Sequence, residues 1–123
     1  LLDSALRWIA WVPLGRFTSP RTLRRFRELA SEADTLEKAF DLVMSFRSLK
    51  VFIAPIQIKE EIVGLMRRLA SSPPSTVLEI GTAKGGTLFL FTRVARDDAI
   101  LISVDMPHGD FGGGYPPYMA PLL

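Results

Sequence analysis

The 123-residue chain contains no cysteine and a single histidine. Disulfide scaffolds, thiolate zinc sites, cysteine nucleophiles and iron–sulfur clusters are thereby excluded, and so is a multi-histidine metal site. The lack of thiols accords with a reducing compartment, and a cytoplasmic location is the expectation. Excess charge is scarce too: 15 Lys/Arg against 13 Asp/Glu leave a net +2. The sequence pI of about 9.3 therefore reflects thin buffering between carboxylates and lysines and is no strong nucleic-acid signal. No apolar run reaches the roughly 18–20 residues of a membrane-crossing helix. Residues 1–14 come nearest, with Trp8 and Trp11, but Arg7 and Pro13 interrupt them. Nine Gly and nine Pro are too few for a low-complexity or collagen-like chain.

What is present is 48% hydrophobic content, enough for one real core but not for two ordinary domains. The positive excess is local. Residues 1–50 hold nine Lys/Arg against six Asp/Glu, concentrated at Arg16, Arg21, Arg24, Arg25 and Arg27. The start at Leu1 and the end at Leu122–Leu123, after a Gly/Pro-rich segment, read as a piece cut from a longer protein.

The first half reads as helical. Leu2 to Val12 fits a short helix stopped by Pro13 and Gly15. Ser19-Pro20 is a helix start, with Leu23, Phe26, Leu29 and Ala30 following at helical spacing. Asp34-Thr35-Leu36-Glu37 has capping-box spacing with Asp34 as the cap, ahead of an apolar face of Leu36, Ala39, Phe40, Val43 and Phe46. Val51-Phe52-Ile53-Ala54 looks extended. A further helix is expected over residues 58–70, with Ile62, Leu65, Met66 and Leu69 inward, and Gln57 as its cap or as a residue reaching a ligand.

The texture then changes. Thr76-Val77-Leu78-Glu79-Ile80 reads as a buried strand, Gly81-Thr82-Ala83-Lys84-Gly85-Gly86 as a glycine-rich turn and Thr87–Ala95 as a helix. Ala99-Ile100-Leu101-Ile102-Ser103-Val104 reads as a second strand ending at Asp105. The 76–105 unit has the length of a crossover between parallel strands. Uninterrupted apolar strands fit a parallel sheet covered on both faces.

The glycine turn is where chemistry is expected. Glycines let the backbone turn sharply and let a ligand lie against it. The helix beginning near Gly86 aims N–H groups at the turn. Asp105, at the carboxyl end of the neighbouring strand, suits the two hydroxyls of a ribose. A phosphate-binding P-loop needs a lysine where Thr87 stands, and Gly-x-Ala-x-Gly-Gly is a poor dinucleotide turn. Glu79, two residues before Gly81, would repel a pyrophosphate and suits a ligand with a cationic end. An unpaired carboxylate at the end of a buried strand is otherwise costly, which favours a functional role. S-adenosylmethionine, with its ammonium, sulfonium and ribose and no phosphate, is such a ligand.

The stretch from Val77 to Thr87 resembles the first motif of the Rossmann-like (class I) S-adenosylmethionine-dependent methyltransferases, and Ile102-Ser103-Val104-Asp105 resembles their second. Asp105-Met106-Pro107, followed by Phe111-Gly112-Gly113-Gly114-Tyr115-Pro116, looks like the methyltransferase-24 and cephalosporin-hydroxylase-like branch. Ala83 stands where the family's middle glycine is usual. The resemblance implies an α/β fold: the first two parallel strands of a Rossmann-like methyltransferase sheet with their crossover helix (residues 75–123), preceded by an N-terminal helical region (residues 1–74). It implies that Gly81, Thr82, Ala83, Gly85 and Gly86 line S-adenosylmethionine by backbone. Glu79 would lie near its ammonium, Asp105 at its ribose and Met106 against its adenine. The reaction would be methyl transfer to a small-molecule acceptor, with no metal assigned.

The family sheet has seven strands and this chain supplies about two, so residues 1–123 alone are expected not to be a competent enzyme. Other features have plainer readings. Lys84 reads as a solvated turn residue, and His108 and Asp110 as loop residues, so no catalytic base is assigned. Residues 112–117 read as a lid or a loose end. The Arg21–Arg27 cluster reads as a solvated face, with anionic lipid or nucleic acid as the other reading. Two further functions stay open: a nucleotide- or NAD-linked oxidoreductase, and a noncatalytic module whose helices mediate association. Homo-oligomerisation is left open as well.

Overall fold

A computed structural model of the chain describes residues 20–48 and 52–105. The expectations for the 2–12 helix, the Ser19 cap, Met106, His108, Asp110 and the 112–117 segment lie outside the described residues. Within them the protein is mixed α/β. Helices α1 (Pro20–Glu32), α2 (Leu36–Ser45) and α3 (Lys59–Ala70) precede strand β1 (Thr76–Ile80), helix α4 (Gly86–Thr92) and strand β2 (Ile100–Val104). The two strands pair in parallel, Thr76 opposite Ile100 through Ile80 opposite Val104.

Each helix buries the stripe its periodicity marks. In α1, Phe26 and Ala30 are buried and Leu23 and Leu29 partly so; in α2, Ala39, Phe40 and Val43 are buried. Phe26 meets Phe46 and Phe89 edge-on, with ring centroids 4.9 and 5.2 Å away, and so joins α1 to the end of α2 and to α4. One hydrophobic cluster runs from Phe26 to Val94, and the helical half therefore shares its core with the strand–helix–strand unit. Arg93 adds a polar tie, donating from Nη2 to the Ala33 carbonyl just past α1 at 2.9 Å.

Several local expectations are corrected. Thr35, not Asp34, caps α2: its backbone is extended and its hydroxyl oxygen accepts from the Lys38 N–H at 3.2 Å. Asp34 instead pairs with Lys38 Nζ at 2.8 Å, and the bond from that ammonium holds its carboxyl below the usual range. Thr35→Ala is expected to lower stability by about 1 kcal/mol and Thr35→Ser to restore it, read from urea denaturation midpoints. Residues 52–55 form no strand, although Ile53 is fully buried. In α3, Ile62 and Met66 are buried and Leu69 packs partly buried against the core as expected, Val63 is buried as well, and Leu65 is exposed. The helix after the glycine turn ends at Thr92, three residues short of the expected Ala95.

The largest departure concerns the sheet. On β1, Val77 and Glu79 face the covered side, whereas Leu78 and Ile80 are 60% and 81% exposed. The register sets Leu78 beside Ile102 and Ile80 beside Val104, and these with Ile100 form an apolar strip that the described helices leave bare. Among the described residues one face of the sheet is covered, not two.

Candidate functional site

The turn between β1 and α4 is built by backbone conformations that few residues accept. Gly81 and Gly85 have φ of 85°, and Ala83 takes the left-handed region at 49°. Gly81 donates its N–H to the Val104 carbonyl at 2.8 Å, extending the strand pairing by one step. Gly85 donates to the Thr82 carbonyl at 2.8 Å, closing the turn. The side of Gly81 where a Cβ would stand is open, with no atom within 4 Å.

Asp105 stands at the tip of β2 and accepts the Ala83 N–H on Oδ2 at 2.7 Å. A charge-assisted bond of this kind is stronger than a neutral one. It pins the middle of the turn to the neighbouring strand and offsets the cost of placing alanine in a left-handed conformation. The sequence assigns Asp105 to a ligand; in the structure it also holds the turn that would receive one.

Glu79 does not stand alone at an open mouth, as its position two residues before the turn suggests. The alternation of the strand turns it to the covered side, where it is 8% exposed. Its Oε2 accepts from the Ser103 hydroxyl at 3.1 Å, and the Thr82 and Ser103 hydroxyls bond to each other. The carboxylate is thus partnered, and among the described residues no buried side-chain nitrogen or oxygen lacks a hydrogen bond. Burial raises the Glu79 carboxyl above its ordinary value; the bond from Ser103 opposes this, the negative charge of Asp105 adds to it and the bond from Thr82 opposes it. Ser103 is the residue that the motif reading misses. The register that sets Glu79 beside Ser103 is its signal, since partners on adjacent strands share a face.

Gly86 has a packing role. A Cβ there would meet the Ile53 carbonyl oxygen at 2.2 Å and the Cδ and N of Pro55 at 2.6 and 2.7 Å, so the glycine lets α4 seat against the 53–55 segment. Gln57 does not cap α3, whose Ile58 cap makes no side-chain bond; it accepts from the Thr87 hydroxyl at 2.8 Å and ties the start of α4 to the same segment. Lys84 is exposed, with Nζ 3.9 Å from the centroid of the Phe52 ring. The turn is therefore clamped from three directions: by Asp105 on β2, by Gln57 ahead of α3, and by the close approach at Gly86. Held in this way, the turn is exposed at Gly81 and Lys84 and half-buried at Ala83, whereas Thr82, Gly85 and Gly86 are buried.

Among the described residues no group of three or more His, Asp or Glu side chains is placed to hold a metal, and no helix is long and apolar enough to cross a membrane. Comparison with known protein families, with curated proteins and with solved structures finds no match to this chain.

Proposed function

We propose that the chain carries the S-adenosylmethionine-binding part of a Rossmann-like methyltransferase that acts on a small-molecule acceptor. The observation that carries this reading is the pairing of two carboxylates with a glycine turn that is open at Gly81. Glu79 lies one residue before the end of β1 and Asp105 just past the end of the adjacent parallel β2, and the turn beside them is fixed by the Ala83–Asp105 bond. Two acidic groups beside a bare backbone disfavour a phosphorylated ligand and favour one with a cationic amino-acid end and a ribose. Gly81, Thr82, Ala83 and Gly85 would meet the methionine part, Glu79 its ammonium field and Asp105 the ribose. Gly86 contributes to the site by seating α4. The protein's share in methyl transfer is positioning and exclusion of water around the sulfonium. The bare strip on the outer face of the sheet is where a larger sheet of this kind would pack its other helices.

Calorimetric titration of the full-length protein with S-adenosylmethionine, in competition with NAD and ATP, tests the reading. Glu79→Gln is expected to weaken S-adenosylmethionine about tenfold, the scale of a lost bond or contact to a charged group. Preference for NAD or ATP over S-adenosylmethionine would overturn the assignment. The raised pKa of Glu79 fixes the sign of the pH response. A cationic ligand prefers the ionised carboxylate, so affinity falls as pH drops through the raised value, and Glu79→Gln removes that dependence. Folding stability responds oppositely. Whatever favours the protonated form is fully present below the ordinary carboxylate pKa and is lost as pH rises through the raised one.

A further inference from the structure

Two exposed cations share one aromatic ring beside the glycine turn. Lys84, in the turn, holds Nζ 3.9 Å from the centroid of the Phe52 ring, and Arg47, just past α2, holds Cζ 5.7 Å from it. The two heads therefore lie within about 10 Å of each other, one screening length at 0.1 M salt. A ring face attracts a cation, but two cations brought this close repel each other. Elsewhere the protein settles such charges. Lys59, over the Phe40 ring, has the Asp41 carboxylate at 2.5 Å, and Arg93, over the Phe89 ring, donates to the Ala33 carbonyl. Neither Lys84 nor Arg47 has a carboxylate partner among the described residues. The Arg47 head is also held in place. Its Nη1 donates to the Met44 and Phe46 carbonyls at 2.9 and 2.8 Å, at the end of α2, and the next residue is tied to α1 by the Thr22–Ser48 hydroxyl bond at 2.8 Å. Among the described residues nothing engages Nε or Nη2. These two form the edge of the guanidinium whose N–H bonds run parallel, the fork that matches a carboxylate.

We propose that Lys84, Arg47 and the Phe52 ring form a subsite for the carboxylate of an aromatic methyl acceptor. Calling the ligand the acceptor rests on the reading of the turn as an S-adenosylmethionine site; the carboxylate subsite itself does not. The free edge of Arg47 supplies two parallel donors and Lys84 a third charge-assisted bond. An anion between the two cations relieves their repulsion, and Phe52, 38% exposed, still offers apolar ring surface to the body of the ligand. A singly charged carboxylate suits the place better than a phosphate dianion, which Glu79 and Asp105 would repel more strongly. The cofactor's own carboxylate is the less favoured occupant. In the proposed reading the cofactor follows Gly81 to Ala83 toward Asp105, which meets the turn from β2. Phe52 meets the turn at Lys84, from the chain that leads into the segment against which Gly86 seats α4. A carboxylate held at this ring and a cofactor held along the turn bring two reactants to neighbouring places, which is the requirement of a positioning enzyme.

Benzoate is the probe, titrated into the full-length protein at constant ionic strength and followed by nitrogen-edited NMR. The side-chain signals of Arg47 and Lys84 are expected to shift saturably. Benzamide, of the same shape without the charge, is expected to bind at least about tenfold more weakly. K84M is expected to lower benzoate affinity about tenfold and K84R to keep most of it. Lys84 is exposed and makes no ion pair among the described residues, so loss of the fold does not explain that result. R47K, which keeps the charge and removes the fork, should weaken benzoate as well. Saturating S-adenosylmethionine is expected to leave benzoate affinity unchanged. Mutual exclusion of the two would give the cations to the cofactor's carboxylate and overturn the acceptor subsite. Equal binding of benzoate and benzamide, or benzoate binding that K84M leaves intact, would overturn it too. If benzoate binds as expected and S-adenosylmethionine does not bind, the carboxylate subsite stands and the reading of the turn falls.

Discussion

Phe26→Ala is expected to remove about 3–5 kcal/mol of stability, a large share of the roughly 5–15 kcal/mol available to a domain of this size. Phe26 is 4% exposed and is the aromatic ring that touches both Phe46 and Phe89. Truncation leaves a hole where α1, the end of α2 and α4 converge, and that hole is walled by rings that cannot collapse into it. Much of the rest of α1 is polar, so without this ring the helix is fastened mainly by Ala30, the partly buried leucines, the Thr22–Ser48 hydroxyl bond and the Arg93–Ala33 bond. The effect should appear as a lowered urea midpoint with loss of helical circular dichroism. Phe26→Leu, which keeps most of the volume, should cost far less, about 1–2 kcal/mol. A Phe26→Ala loss under about 1 kcal/mol would show that α1 is not part of the core.

Gly86→Ala is expected to cost about 1–3 kcal/mol even though the change adds a single methyl group. Helix propensity alone predicts the opposite sign, because alanine is favoured over glycine in a helix. The environment decides. The added carbon would stand 2.2 Å from the Ile53 carbonyl oxygen and 2.6–2.7 Å from Pro55, and neither backbone nor a proline ring gives way cheaply. Relief requires α4 to lift away from residues 53–55, which strains the Thr87–Gln57 bond and displaces the turn ahead of it. The variant should therefore lose ligand affinity at the turn along with stability. Gly64→Ala supplies the contrast. This glycine is in α3 with no atom within 4 Å of the added carbon, and it is expected to gain about 0.5–1 kcal/mol. Equal effects at the two positions in chemical denaturation would mean that the 53–55 segment does not sit against α4.

The methyltransferase reading has its physical centre in the carboxylates. A buried Glu79 held by two hydroxyls is more than a charge placed near a ligand. Its protonation is coupled to Asp105 and, through Ser103 and Thr82, to the turn itself. On that reading, the pH dependence of binding is expected to separate a cationic ligand from a phosphorylated one more sharply than affinity alone.

The sequence by itself marked the helices, the two strand segments and the glycine turn, because each is a local matter. A helix face is written in residues three and four apart, as at Phe26 and Ala30 or Ala39, Phe40 and Val43. A turn at Gly81 and Gly85 is written in the residue type that tolerates a positive φ. The Thr35 cap lay one residue from its expected place because Asp34 and Thr35 are both good caps, and only the path of the chain chooses between them. Tertiary structure alone decided which face of the sheet is covered. Strands whose outer positions are Leu78, Ile80, Ile100, Ile102 and Val104 read as apolar throughout, and alternation says which residues share a face without saying which face meets a helix. It also turned Glu79 inward onto Ser103, gave Gln57 to Thr87, and made Gly86 a contact with Ile53 and Pro55. Those pairings join residues some 24 to 33 positions apart in the chain, beyond the reach of any short-range pattern, and they are set by how the helices stack on the one covered side.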